Sequence, residues 1–189
     1  LAAYIEDPRP FVRDRAANAL VDQGATSVEA LTALLRKAQS ADTRTRVVFT
    51  LYRIGTREAL SGVREAMGDA DVQVRIAAAR SAGLARDKEA VDRLMRLLRD
   101  NDLAVRRQAA SALGQIGDER AAAALLDAAD GNSDRFVEHA IIYALISINK
   151  PQLIAHGLSH SSRDIQRAAL IALDQMQASR LLPDQVIPF

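Results

Sequence analysis

The stretch DLAVRRQAASALGQIGD, from Asp102 to Asp118, decides the fold of this chain. Its apolar residues Ala109, Ala110 and Leu113 are spaced so that they share one face of a helix. The aspartate that opens the stretch is suited to accept hydrogen bonds from the free amides of a first helical turn. Gly117 is suited to end the helix in a left-handed conformation. The stretch therefore predicts a capped helix with one buried face.

The same pattern recurs along the whole chain, with spacings of 31, 31, 31, 32 and 28 residues between copies. We call the position equivalent to Arg106 the anchor. The six anchors are Arg13, Arg44, Arg75, Arg106, Glu138 and Gln166. Four residues before the anchor stands a capping Ser or Asp, except in the first copy, where Arg9 and Pro10 open the helix. A second apolar stretch follows each first helix, so each copy is predicted to be a helical hairpin.

The composition favours helices over strands. The 189 residues include 36 alanines, and aromatic residues make up 4%. The chain has no cysteine, which excludes disulfides, thiolate zinc sites and iron–sulfur clusters. No apolar run reaches the roughly 18 residues of a membrane-spanning helix, and no basic-then-apolar leader is present. The formal net charge of +1 is typical of a globular protein.

A single hairpin cannot bury its apolar face, so the copies are expected to stack. The sequence predicts an all-α fold, a right-handed α-solenoid with about five complete hairpins, a partial hairpin at each end and no β-sheet. Residues 1–189 are expected to form one repeat domain. Leu1 to Asp7 aligns with the end of a second helix, and the chain stops inside another at residues 181–189. We therefore expect a fragment of a larger multidomain protein.

The anchor position suggests where a partner binds. A repeated Arg beside a repeated Asp is expected to form a ladder of ion pairs along the stack. Glu138 and His139 interrupt this column, while Phe136 and Tyr143 supply aromatic contact area nearby. These four residues are predicted to form a surface for contact with a neighbouring domain or a partner protein. Repeat drift is the alternative explanation for the interruption.

No constellation of residues indicates catalysis or a cofactor. His156 and His160 stand one helical turn apart, but no zinc-hydrolase spacing accompanies them, and Gly157 weakens the turn between them. The chain has no Gly-rich phosphate loop and no nucleophile motif. We expect no catalytic residue, no metal, no cofactor and no small-molecule substrate in this segment.

A basic middle region leaves nucleic-acid binding open as an alternative. Residues 36–107 carry 16 basic and 10 acidic residues. Arg64, Arg93 and Arg96 lie on predicted second helices and are expected to project together toward phosphates. Acidic residues are interleaved on the same helices, and no aromatic residue alternates with these arginines to stack on bases. Nucleic acid is therefore the less favoured partner.

The unit at Asp102 to Asp118 resembles the HEAT-like repeats first described in phycobilisome lyases. That resemblance covers the whole chain and implies a docking surface more often than an enzyme. HEAT-like DNA glycosylases are the enzyme alternative, but the lack of Trp makes a poor match to the aromatic residues they use. The C-terminal segments RFVEHAIIYALISINKP, Arg135 to Pro151, and IQRAALIALDQM, Ile165 to Met176, are similar to the helical part of planctomycete-type membrane-bound dehydrogenases. In that family a propeller precedes the repeats and a c-type cytochrome module follows them.

These observations lead to one expectation of function and one alternative. We expect a non-catalytic scaffold that binds protein, linking redox modules of a larger dehydrogenase-type protein without touching the membrane itself. The resemblance implies export to the periplasm or beyond, and without it the cytoplasm is expected. The alternative is an independent HEAT-like adaptor that binds protein or nucleic acid.

Overall fold

A computed structural model describes residues 1–131 and 134–176, and this part of the chain is helical without a β-strand. It contains eleven α-helices, joined by short turns and four 3₁₀ helices. The α-helices are α1 (Pro10–Gln23), α2 (Val28–Lys37), α3 (Ala41–Ile54), α4 (Arg57–Ala66), α5 (Val72–Leu84), α6 (Val91–Leu97), α7 (Leu103–Ile116), α8 (Ala121–Ala129), α9 (Arg135–Ile148), α10 (Pro151–Ala155) and α11 (Arg163–Gln175). The predicted all-α repeat fold is confirmed.

The order of helices follows the repeat register. Odd-numbered helices α1 to α9 are the predicted first helices, and the shorter even-numbered helices follow them as second helices. A 3₁₀ helix at Ala2–Glu6 stands where the end of an earlier second helix was expected. The expected partial hairpin at the C-terminal end is represented by α11, and its second half lies outside the described residues. No helix in the described ranges is both long enough and apolar enough to span a bilayer.

Hydrogen-bonding side chains begin five of the first helices as predicted. Asp102 accepts from the amides of Ala104 and Val105, and Asp134 accepts from those of Phe136 and Val137. The other three capping side chains are Ser40, Asp71 and Ser162. Helix α1 begins instead with Pro10 at its first position. Each cap satisfies amides that have no partner inside the helix, so the repeat register is set locally.

Glycine ends three of the first helices, and in two of them it has the left-handed conformation expected there. Gly55 and Gly117 adopt the left-handed conformation after α3 and α7. Gly24 also has a positive φ of 61°, but its ψ of −134° is not that of a left-handed helix. Asn149 ends α9 with a φ of 53°, a role that the sequence reasoning missed because it looked for glycine. Asparagine tolerates this conformation better than other side chains.

The predicted apolar columns form the core. Every residue seven positions after an anchor is buried, including Leu113, which is fully buried. Most residues three and four positions after an anchor are buried as well, although Ala17 and Leu170 are half-buried. Small side chains allow close packing: a Cβ placed on Gly114 of α7 would lie 2.8 Å from the Cα of Ala144 in α9.

The chain divides into two compact units, Leu1–Asp87 and a second that starts at Lys88. In the first unit, α3 packs against α1, α2, α4 and α5. In the second unit, α9 lies between α7 and α11, and α8 contacts both α6 and α10. That residues 1–189 form one repeat domain stays a prediction.

Candidate functional site

Helix α9 presents the residues predicted to contact a partner. The Asp134 cap starts α9, and the apolar face of α9 is buried in the core of the second unit. The buried residues of α9 are Val137, Ile141, Ile142, Ala144, Leu145 and Ile148. Phe136, His139 and Tyr143 therefore lie on the side that faces solvent, and all three are exposed.

Two aromatic rings remain uncovered on this helix. Phe136 is 61% exposed and Tyr143 is 60% exposed. The Arg135 guanidinium lies 5.6 Å from the centre of the Phe136 ring, a distance that suits a cation–π contact. Large aromatic side chains that stay exposed in one small region are typical of a binding surface.

A groove of about 340 Å³ runs between α9 and α11 beside these rings. We call it the α9–α11 groove. Its lining on α9 is Arg135, Glu138, His139, Ile142, Tyr143 and Ile146, and on α11 it is Ile171 and Gln175. The structure thus brings Glu138, His139 and Tyr143 into one site. Phe136 lies on the same helix but outside the groove.

An ion pair crosses this region from α9 to α11. Glu138 Oε1 lies 2.9 Å from Arg167 Nη2, and the Arg167 side chain is 53% exposed. Arg167 also lies 3.6 Å from Asp164 in its own helix. The charge reversal at the fifth anchor is therefore compensated inside the unit, by a basic residue one position after the sixth anchor.

The four arginine anchors share a structural role that the expected ladder of ion pairs did not include. Arg13, Arg44 and Arg75 each donate through Nη1 to the main-chain carbonyl six residues earlier, at 2.9 to 3.0 Å. Arg106 donates to the carbonyl of Asp100, also six residues earlier. At the sixth anchor, Gln166 Nε2 donates to the carbonyl of His160 at 2.8 Å. The anchor therefore holds the turn before its own helix.

One anchor also makes a tight ion pair within the first unit, but its partner is not a capping residue. Arg44 contacts Asp69 through two nitrogens, at 2.7 and 2.9 Å. Burial by itself would raise the pKa of Asp69, but hydrogen bonds from Arg44 and the Asp71 amide outweigh it and lower the pKa. Asp69 stands two residues before the Asp71 cap and accepts from its amide at 2.8 Å. For Arg44, the predicted pairing with a capping residue was therefore wrong.

The predicted basic surface needs one correction. Arg64 is 9% exposed, and its Nη1 lies 2.6 Å from Asp87 Oδ2, so it does not project into solvent. Helical spacing alone placed it on the outer side of α4, but the buried Asp87 carboxylate draws it inward. Arg93 and Arg96 are exposed on α6, as expected.

A second groove, between α8 and α10, was missed by the sequence reasoning. This α8–α10 groove measures about 420 Å³ and includes His156 and His160 in its lining. Gly157 was a signal for it: a Cβ there would lie 2.7 Å from the Cβ of Ala169, so this glycine allows the end of the hairpin to approach α11. The His160 Nδ1 atom accepts from the Ser162 amide at 3.0 Å. Within the described ranges, no three His, Asp or Glu side chains are grouped as a metal site requires.

Comparison with known proteins agrees with this geometry. Residues 60–146 match the family model for HEAT repeats. The match covers a little under half of the chain. A search of curated proteins found no match.

Solved structures support the same fold. The complex of CpcE and CpcF of phycocyanin lyase from Nostoc sp. PCC7120 is 23% identical, with a TM-score of 0.61 over 93% of this chain and 75% of that chain. A designed armadillo repeat protein in complex with the peptide (KR)4 is 17% identical, with a TM-score of 0.57 over 92% of this chain and 96% of that one. Human deoxyhypusine hydroxylase is 20% identical, with a TM-score of 0.54 over 82% of this chain and 64% of that one. At these identities the likeness concerns the fold.

Proposed function

We propose that this HEAT-like protein is a non-catalytic scaffold that binds a protein module through α9 and the α9–α11 groove. The observation that carries the proposal is the pair of exposed rings, Phe136 and Tyr143, beside an open groove with isoleucine side chains. An apolar centre with aromatic residues and a polar rim is the usual composition of a protein interface. The Glu138–Arg167 pair supplies such a rim.

The proposed occupant is an adjoining domain of a larger protein, of the kind found in dehydrogenases with redox modules. The support for this occupant is the resemblance of residues 135–151 and 165–176 to the helical part of that family. The parent gene tests it directly. A propeller-like sequence before the repeats and a C-x-x-C-H motif after them are expected, and a parent without either would remove this occupant.

The docking surface is tested in the full-length parent by limited proteolysis. Tyr143→Ala, and separately Glu138→Arg with His139→Ala, should expose new cleavage sites at the domain junctions while the helical circular dichroism stays unchanged. Arg107→Ala is the matched control, because Arg107 is exposed on α7 outside the groove. An identical cleavage pattern in all variants would contradict the proposed docking surface.

Glu138→Arg also places a like charge opposite Arg167, so a second variant is needed. The exchange of both residues, Glu138→Arg with Arg167→Glu, keeps the internal pair and reverses the charge that each helix offers to a partner. New cleavage in this exchange variant would show that the partner contacts these two charged side chains directly. The exchange variant could instead give the wild-type cleavage pattern while Glu138→Arg with His139→Ala gives new cleavage. The new cleavage would then be due to the loss of His139 or of the internal Glu138–Arg167 pair.

A second candidate is an independent adaptor for protein or nucleic acid. The observation that favours it is the pair of exposed arginines on α6, Arg93 and Arg96. Salt-dependent binding of the isolated segment to DNA or RNA, abolished by Arg93→Gln with Arg96→Gln, would support this candidate.

A further inference from the structure

We propose that a second surface of this protein, distinct from the α9–α11 groove, binds an acidic peptide segment that carries a large apolar side chain. The surface consists of α6 and the α8–α10 groove, and we call it the α6–α10 surface. Helix α8 contacts both α6 and α10, so the charged and apolar parts of the surface adjoin one another within the second unit.

The apolar part is the α8–α10 groove. Leu126 of α8 and Leu153 of α10 lie in its lining together with Ala122 and Ala123. Leu153 is 39% exposed, although most leucines of the repeats are buried in the core. The α8–α10 groove has a volume of about 420 Å³, which is within the range of sites that enclose a ligand group. An apolar side chain from a partner would cover Leu153 and remove it from water.

The charged part is on α6. Arg93 and Arg96 are exposed, as is Arg99 just after the helix. Within the described part of the chain, no ion pair joins these three guanidinium groups to a carboxylate. An unpaired guanidinium offers two parallel N–H donors, which match the two oxygens of a carboxylate. The α6 end of the surface is thus complementary to negative charge.

The two parts are connected by Arg120, which starts α8. Its Nη1 lies 3.6 Å from Asp92 Oδ1 on α6, and Arg120 also lines the groove. Arg96 follows Asp92 by one helical turn, so it stands on the same side of α6 as this contact. Arg96 therefore lies on the side of α6 that is nearer to Arg120 and the groove.

Some carboxylates on this surface have a basic partner. Asp118 lies 2.9 Å from Arg120, Asp92 lies at the longer distance of 3.6 Å from the same guanidinium, and Glu119 Oε2 lies 2.7 Å from Lys150 Nζ. Asp127 remains exposed in the groove. The charge pattern fits a segment whose carboxylates meet α6 while its apolar residue enters between α8 and α10, where Asp127 would repel further negative charge.

The same pattern disfavours nucleic acid on this surface. The lining of the α8–α10 groove contains no aromatic side chain on which a base could stack. Asp127 would face any phosphate that followed the groove. A uniformly charged backbone therefore fits the surface less well than a peptide with its charge at one end.

The experiment is fluorescence anisotropy with the isolated chain and a labelled Asp- and Glu-rich peptide that carries a Leu-Phe pair at its C-terminal end. Binding should weaken about tenfold for Arg93→Gln with Arg96→Gln, since each exposed pair contributes modestly. Leu153→Ser should weaken it as well, and about 1 M salt should screen the charge contribution. The matched control is Arg80→Gln with Arg107→Gln, which removes the same charge from exposed positions on α5 and α7.

Three outcomes would overturn the proposal. They are no binding of the peptide, an equal loss in the Arg80 and Arg107 control, and tighter binding of a single-stranded DNA oligonucleotide than of the peptide. A version of the peptide with Asn and Gln in place of its acids, and one with Ala in place of Leu-Phe, should each bind more weakly. Tyr143→Ala should leave peptide binding unchanged, so failure here is independent of the proposed docking on α9.

Discussion

Helix α9 contacts its two neighbours in the second unit in different ways. On the α7 side, the Gly114 backbone approaches Ala144 so closely that an added Cβ would lie 2.8 Å from the Ala144 Cα. On the α11 side, Ile142, Tyr143 and Ile146 border an open groove crossed by the exposed Glu138–Arg167 pair. One side of α9 is therefore closed by small residues, and the other leaves large residues accessible.

This difference shows how a repeat protein can combine stability with binding on a single helix. Close backbone approach buries the small residues of α7 and α9 without leaving room for a ligand. The α11 side has side chains large enough to keep the helices apart at the surface. We therefore expect substitutions near α7 to change stability and substitutions near α11 to change binding.

The largest expected effect is on the α7 side. Leu113→Ala should lower the free energy of unfolding by about 2 to 5 kcal/mol, because Leu113 is fully buried and its truncation leaves a cavity. Chemical denaturation monitored by circular dichroism measures the change. Gln115→Ala, at an exposed position of the same helix, should stay within about 0.5 kcal/mol. A loss below half a kcal/mol for Leu113→Ala would show that the repeat register is wrong.

Gly114→Ala tests the close approach itself. The added methyl meets main-chain atoms of Ala144, which cannot move aside as a flexible side chain can, so a loss of about 1 to 3 kcal/mol is expected. Gly68→Ala is the matched control, since its nearest contact would be an ordinary 3.7 Å. Similar melting temperatures for the two alanine variants would mean that α7 and α9 are less tightly packed than described.

Asp69→Asn tests how much the largely buried Arg44–Asp69 ion pair stabilises the fold, for comparison with the more exposed Glu138–Arg167 pair. It should cost about 1 to 2 kcal/mol near neutral pH, because it weakens the charged hydrogen bonds from Arg44. The pKa of Asp69 is lower in the folded state than its ordinary value, so this contribution is complete above a pH of about 4. It is lost as the pH falls through the lowered pKa of the folded state.

Denaturation of the wild type and of Asp69→Asn across this pH range checks the prediction. The stability difference between them should shrink on acidification, whereas the control Asp127→Asn, at an exposed position, should differ little from the wild type near neutral pH. A difference between wild type and Asp69→Asn that grows as the pH falls would contradict the assigned pairing.

The smallest expected effect is on the α11 side. A double-mutant cycle with Glu138→Ala and Arg167→Ala should give a coupling energy below about 1 kcal/mol, because both side chains are partly exposed. The same variants in the full-length parent should alter proteolysis at the domain junctions. A coupling energy of several kcal/mol would mean that this pair stabilises the fold and that α11 is held as firmly as α7.

Much of the fold could be predicted from local patterns. The capping side chains and the apolar columns act within one or two helical turns, so spacing alone located the helices and the buried positions. The interest of α9 also came from a local pattern, since Glu138 stands where four other copies have Arg; that its residues bind a partner stays a prediction. Asn149 was missed because it stands where a glycine was looked for, and Arg64 was misplaced because its position depends on a carboxylate 23 residues away.

The sequence by itself determined the helical repeat, because the capping residue and the buried positions of each helix lie within a single copy. Tertiary structure alone decided which side of α9 is closed, since Gly114 and Ala144 lie in different copies and meet only when their helices pack. It also decided the α8–α10 groove, whose shape depends on how closely Gly157 approaches Ala169. Helical periodicity shows which residues face inward but not how far apart two packed helices lie, and that separation determines where a partner can bind.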